Sequence, residues 1–252
     1  MPMSVLQDQA ALPEPQHLIM QARWLAPARA RLLRRVHVAR RRCILDLGSG
    51  YGSVTPELVR RGGGTVIALE RQWNALQALP DRFSGAYRTV GDAVSLPFGE
   101  ATFDLIFTQL TLLWISPLPK AIQEIERVLQ PGGALVALEP DYGGMIEYPP
   151  EIACGALWVK GLERAGADPL VGRKLPGLLA AQGFRVRVSL FNTMTPPEPA
   201  RFDLLAGLPL TGEERHTLKR IRERAQALSG PWAQIAHLPF VLVTAIKEKR
   251  RP

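Results

Sequence analysis

Two rhythms of apolar residues alternate along the chain. Short apolar runs, most of them ending on glycine or acid, are separated by stretches in which apolar residues recur at helical spacing. Ile44-Leu45-Asp46-Leu47 is the first such run and stops at Gly48; further runs occupy residues 65–70, 87–90, 103–107 and 134–138. Leu32, Leu33 and Val36 give residues 28–39 an amphipathic helical pattern. Ile122, Ile125, Val128 and Leu129 do the same for a helix expected to be capped by Ser116 and opened by Pro117. Gly62-Gly63-Gly64, Pro80 and Pro131-Gly132-Gly133 are placed to end three helices, the second of them at 72–79. Buried strands that alternate with helices predict a parallel sheet with right-handed crossovers.

Beyond residue 138 the pattern predicts a helix at 151–164, a strand at 184–190 and a last strand at 239–246. Between these strands, Thr195-Pro196-Pro197 is a turn. Thr211 and Glu214 form a capping box for a helix carrying Leu218, Ile221, Ala225 and Leu228. Residues 1–22, with Pro2, Pro13 and Pro15, suit a mobile or partly helical arm. The expected organisation is an arm and helix at 1–42 acting as a lid, a core at 43–195, a helical insertion at 196–231, and a final strand with a basic tail at 232–252.

Composition narrows the class. A hydrophobic fraction of 46% with 21% charged residues suits a globular chain with an ample core. Since no run reaches ~18 apolar residues, no membrane span is expected. The N-terminus lacks the apolar core of a secretory signal, which makes the expected compartment cytoplasmic. Cys43 and Cys154 belong to no CxxC pair and no His cluster, so no metal site is expected. The formal charge is +8, and residues 23–42 hold no acid. Such a surface suits nucleic acid, acidic carrier proteins or anionic lipid; the plainer reading is a solvated helix face.

The candidate chemistry lies at the strand ends. Asp46-Leu47-Gly48-Ser49-Gly50-Tyr51-Gly52 turns sharply from strand to helix, and its glycines let the backbone approach a ligand beyond the strand's C-terminal end. Ser53 stands where a dinucleotide fingerprint wants its third glycine, and Asp46 is atypical of a pyrophosphate site. Glu70 closes the second strand, where a carboxylate can accept both hydroxyls of a ribose. Asp92 and Ala93 follow the third strand, where an Asp can take an adenine amino group or simply form an Asx-turn. Thr108-Gln109-Leu110 ends the fourth. Glu139, Asp141 and Tyr142 end the fifth and are candidates to orient or deprotonate a second substrate, with a helix-capping turn as the competing reading. His17, Arg23 and Trp24 are candidates to close over the site, whereas Trp114, Trp158 and Trp232 suit core filling.

In this order the motifs resemble the class I S-adenosylmethionine-dependent methyltransferases, in particular the small-molecule branch (type 11, quinone-methyltransferase-like). The resemblance runs through residues 44–52, 66–70, 91–98, 103–110 and 127–138. It implies a doubly wound, seven-stranded, mostly parallel sheet. It also implies S-adenosylmethionine as cofactor, with Gly48 and Gly50 near the methionine moiety, Glu70 at the ribose, and Ser49 and Arg71 among the other cofactor-binding residues. Asp92 and Ala93 would meet the adenine, Gln109 the amino-acid tail, and Asp46 would steady the loop and reach the ammonium. The implied reaction is in-line methyl transfer to a small-molecule acceptor. The place after strand four lacks the Asn/Asp-Pro-Pro-Tyr-like motif of amino-base methyltransferases, which makes nucleic acid an unexpected acceptor. A methyltransferase acting on RNA or protein, and a non-catalytic or NAD-binding module, stay open as alternatives.

Overall fold

A computed structural model describes residues 12–77 and 85–248. The strands are β1 (Cys43–Leu47), β2 (Thr65–Glu70), β3 (Ala86–Val90), β4 (Phe103–Gln109), β5 (Leu129–Pro140), β6 (Ile146–Tyr148), β7 (Phe184–Leu190), β8 (Ile235–His237) and β9 (Phe240–Lys247). The main sheet has seven strands in the order β3-β2-β1-β4-β5-β9-β7, while β6 and β8 pair as a separate antiparallel ribbon. Pairings from β3 across to β5 are parallel, and β9 runs antiparallel to both β5 and β7.

The helices are α1 (Pro15–Trp24), α2 (Ala26–Arg35), α3 (Thr55–Arg61), α4 (Trp73–Gln77), α5 (Leu118–Val128), α6 (Gly155–Arg164), α7 (Val171–Ala181), α8 (Ala200–Ala206) and α9 (Gly212–Ala227). They cover both sheet faces, which is why the central strands are apolar at successive positions and not only at alternate ones. Ile44, Leu105, Phe107 and Val136 point to the face covered by Leu32 and Leu33 of α2 and Leu58 of α3. Leu45, Leu47, Ile106 and Leu135 point to the other, where Ile122 and Ile125 of α5, Leu157 of α6 and Leu175 of α7 pack. Each fully buried leucine contributes roughly 1.5–3 kcal/mol by removal from water. Among the described residues, no helix is long and apolar enough to cross a membrane.

Several boundaries differ from the sequence expectation. The helix expected at 28–39 stops at Arg35, because His37 takes a left-handed φ of 53° and turns the chain into a short 3-10 turn at Val38–Arg40. Ser116 does not cap α5; Pro117, in extended backbone, stands at the cap and no side chain bonds there. The helix expected at 151–164 begins at Gly155, after a 3-10 turn. Its first N–H groups are taken by Glu147 of β6, which accepts from Cys154 N at 2.8 Å and Gly155 N at 2.9 Å. Pro131 and Gly132 lie within β5, where the pairing with β4 slips between Phe103 and Leu105. No helix was expected at α7, whose interior Pro176 masks its pattern. The Thr211–Glu214 capping box forms as expected at α9. Pro80, expected to close a helix, lies outside the described residues.

Candidate active site

At the C-terminal ends of β1, β2 and β4, where the strand order reverses direction, a crevice is the expected ligand site of an open α/β sheet. A cavity of about 410 Å³ opens there, within the size range of small-molecule sites. Asp46, Gly48, Ser49, Gly50, Glu70, Arg71, Asp92, Ala93 and Gln109 all line it. All nine expected cofactor-binding residues therefore meet around one space.

The glycine turn is fixed by backbone geometry. Gly48 has a φ of +73°, and a Cβ there would run into the side chain of Thr111. Gly50 has a φ of +52° and donates its N–H to Glu70 Oε2 at 3.0 Å. Glu70 Oε1 accepts from the N–H groups of Arg71 at 2.8 Å and Gln72 at 3.1 Å. Three of the roughly four acceptor positions of this carboxylate are thus filled. One is left for a strong bond to a ligand hydroxyl; a second would need one of the N–H groups to yield. Ser49 Oγ lies buried on the same wall without a partner.

Asp46 is buried and accepts from Thr55 Oγ1 at 2.6 Å, which ties β1 to the start of α3. Burial pushes its carboxyl up to about 6, opposed by the Thr55 bond and the nearby Arg29 charge. A cation in the cavity would favour the charged form. Asp92 accepts from Val94 N at 3.0 Å in an Asx-type turn and still faces the cavity. The loop that follows is held by α5: Glu124 accepts from Leu96 N at 2.7 Å, and Arg127 donates to the carbonyls of Phe98 and Leu96 at 2.8 and 3.1 Å.

Gln109 is held by a residue that charge alone would assign to solvent. Arg29 of α2 is 4% exposed. It donates to Gln109 Oε1 at 3.0 Å, to the Ala22 carbonyl at 2.9 Å and to Glu57 of α3. One signal for it was available: Arg29 falls on the same helical face as Leu25, Leu32, Leu33 and Val36, all buried. The expected closing residues His17, Arg23 and Trp24 do not line the cavity; their neighbours Leu18, Gln21 and Ala22 do.

The three candidates at the end of β5 part company. Asp141 does not line the cavity and forms a two-pronged ion pair with Arg173, at 2.8 Å for each bond. Glu139 is fully buried behind the wall, where Oε1 accepts from Thr111 N at 3.2 Å and Leu112 N at 3.0 Å and so caps the turn at Leu112–Trp114. Its Oε2 has no partner, and burial pushes the acid up to about 7. Tyr142 alone lines the cavity, stacked on Trp158 with ring centroids 5.2 Å apart. Burial raises its phenol, which therefore stays neutral. Trp114 and Trp158, expected only to fill core, also reach the cavity, while Trp232 is exposed.

Both cysteines are free. Among the described residues no group of three or more His, Cys, Asp or Glu is placed to hold a metal.

Residues 45–137 match the family described as "Methyltransferase domain". A malonyl-[acyl-carrier protein] O-methyltransferase of Methylococcus capsulatus is 30% identical over 223 residues, 82% of this chain and 78% of that protein. The human mitochondrial arginine-hydroxylase NDUFAF5 is 28% identical over 174 residues, 67% of this chain and 49% of that protein. The chain spans about half or less of several such relatives, down to 18% of the bifunctional biotin-biosynthesis protein BioHC of Cellvibrio japonicus. Among solved structures, a methyltransferase-like protein of Bacillus halodurans superposes with a TM-score of 0.65 at 15% identity, covering 87% of this chain and 98% of its own. Phosphoethanolamine N-methyltransferase 2 of Haemonchus contortus, solved with S-adenosylhomocysteine, gives 0.63 at 16% identity, covering 93% and 58%.

Proposed function

The chain belongs to the class I S-adenosylmethionine-dependent methyltransferases, and from that membership we propose that it binds S-adenosylmethionine and transfers its methyl group to a small-molecule acceptor. The observation that carries the reading is the Glu70 carboxylate. It is anchored by three backbone N–H groups beside a turn that only glycine can make, with the buried Ser49 hydroxyl left for a ligand.

The residues present fit the cofactor. Glu70 would take a ribose hydroxyl, Asp92 the adenine amino group, and Asp46 and the Arg29-held Gln109 the amino-acid end. When bound, the cofactor supplies a sulfonium methyl open to attack. The chain's own part is alignment in a space screened from water, worth up to ~7–11 kcal/mol in favourable cases. Leu18, Gln21 and Ala22 of α1 roof the glycine turn; a Cβ on Gly50 would lie 3.4 Å from Leu18 Cδ1. Tyr142, held neutral by burial, orients the acceptor as a hydrogen-bond donor and is not a base. Of the expected 1–42 lid, α1 serves as the cover, since Leu32 and Leu33 pack α2 into the core; residues 196–231 serve as an insertion ahead of the last strand.

Calorimetry tests the reading. S-adenosylhomocysteine is expected to bind at a single site and NAD not to bind. Preferential binding of NAD would overturn it.

A further inference from the structure

The cavity has a second half, remote in sequence from the glycine turn. Its wall is built by α6, by Tyr142, and by the segment around α8 from the insertion. Trp158 and Leu162 of α6 face Leu204 of α8 and Leu208 just beyond it, with Trp114 at the strand-four side. Leu204 and Leu208 are four residues apart and half-buried, whereas Phe202 and Leu205 turn inward and are buried. The α8 segment thus presents one face to the core and another to the cavity.

The seating of this segment depends on one small residue. A Cβ on Gly161 of α6 would lie 3.0 Å from both Cβ and Cδ1 of Leu208 and 3.2 Å from Leu210 Cδ2. At the rim, Arg164 of α6 donates to both carboxylate oxygens of Glu214 at 2.6 and 2.7 Å and to the Pro209 carbonyl at 3.2 Å. Glu214 is the same residue that closes the capping box of α9. Arg164 also lines the cavity, but its guanidinium is committed to clamping the insertion onto α6; besides it and Ser116, the side chains on this wall are mainly aromatic rings and leucines.

We propose that this wall is the acceptor-selecting surface and that the acceptor is a molecule with an uncharged apolar or aromatic body, held between Trp158 and the Leu204–Leu208 face. The proposal rests on the methyltransferase reading, since it places the acceptor opposite the cofactor half. Apolar walls select by shape and by surface removed from water, with a few polar groups fixing orientation. Tyr142, packed on Trp158, is the polar group at hand. Leu204 and Leu208 set how long or wide the body can be.

The test uses the full chain and the uncharged fluorophore N-phenyl-1-naphthylamine, titrated with S-adenosylhomocysteine present. Saturable one-site binding is expected. Leu208→Asp and Trp158→Ala should each weaken it at least tenfold, and Gly161→Ala by a few-fold through displacement of Leu208. Affinity for S-adenosylhomocysteine should stay within threefold in Leu208→Asp, which also reports that the variant is folded; Leu204→Asp repeats the test should the Trp158 variant fail to fold. Fluorophore binding that is absent in the wild type, indifferent to the leucine substitutions, or competitive with S-adenosylhomocysteine would overturn the proposal. Failure of the wild type to bind S-adenosylhomocysteine would instead overturn the cofactor reading, and the fluorophore titration would then judge the wall on the ligand-free protein.

Discussion

Arg29 Nη1 donates to Gln109 Oε1 at 3.0 Å, a contact that joins the second helix of the chain to the end of the fourth strand. The same guanidinium holds Glu57 and the carbonyl of Ala22, so α1, α2, α3 and β4 meet at one buried cation. Removing one member of a buried ion pair costs up to ~3–5 kcal/mol where the other is left uncompensated; here Glu57 keeps Arg61 of α3 at 2.9 Å, so the loss is smaller. Arg29→Met should lower the melting temperature, by less than an orphaned buried charge would. In the surviving folded protein it should weaken S-adenosylhomocysteine binding several-fold, because Gln109 loses its anchor. A double-mutant cycle with Gln109→Ala checks the coupling: purely additive losses in binding would show that the two residues act separately.

Glu70 holds three backbone N–H groups and, on the proposed reading, a ligand hydroxyl as well. Glu70→Ala is expected to reduce S-adenosylhomocysteine affinity at least tenfold, since charge-assisted hydrogen bonds contribute ~1.5–3 kcal/mol each. Glu70→Gln keeps one acceptor oxygen and should fall between the alanine variant and the wild type. Isothermal calorimetry on both variants, with melting curves as a folding control, decides this. Unchanged affinity in a folded alanine variant would mean that the ribose is held elsewhere.

Gly48→Ala should abolish cofactor binding more completely than it disturbs the fold. Alanine is strained at a φ of +73°, and its methyl group would displace Thr111, whose N–H is one of the two capped by Glu139. A variant that binds S-adenosylhomocysteine normally would show that the turn tolerates a side chain.

Glu139 gives a pH dependence with a definite sign. Its folded-state pKa is raised from 4.5 to about 7, so across that window the native state holds a proton that the unfolded chain has released. Stability then falls as pH rises from about 4.5 to about 7, through a contribution fully present below the lower value. Asp46 acts in the same direction between 3.8 and about 6. Glu139→Gln keeps an acceptor for Thr111 and Leu112 but cannot ionise. It should match the wild type near pH 5 and exceed it near pH 8, by an amount on the order of 1–3 kcal/mol. Denaturant titrations at the two pH values measure the difference. A variant less stable than the wild type at both would refute a buried, proton-holding acid.

Helix α1 roofs the glycine turn with few buried side chains, Ala22 being its one buried residue. Amide exchange over residues 15–24 should slow when S-adenosylhomocysteine binds, as expected of a lid that closes on its ligand. Equal exchange with and without ligand would remove the lid role of the arm.

The glycine-turn side of the cavity was legible in the sequence because its residues sit at strand ends. The ends of the apolar runs bring polar side chains to the crevice at β1, β2, β3 and β4, though not Glu139 at β5. Asp46, Glu70, Asp92 and Gln109 could therefore be found one strand at a time. Arg29 was hidden because its neighbours in sequence are solvated arginines; only its phase with Leu25 and Leu32 betrays it. Glu139 and Asp141 looked like equals; they differ because Glu139 is still inside β5 and buried, whereas Asp141 lies past the strand at the start of the turn Tyr142–Gly144, within reach of Arg173. The acceptor wall could not be foreseen. Trp158, Leu204 and Leu208 carry no chemistry that separates them from core residues, and they come together only through the packing of α6 against a distant insertion.

The place of β9 in the sheet has a consequence for how the protein is made. β7 touches the main sheet only through β9, and β9 lies between it and β5. On the ribosome, β7 and the insertion behind it emerge before their neighbour exists, while β5 waits with an open hydrogen-bonding edge. An unpaired edge of this kind invites strands from other chains. The nascent protein is therefore most exposed to misassembly just before Phe240–Lys247 is released, and substitutions in that strand should reduce soluble yield out of proportion to their effect on the finished molecule.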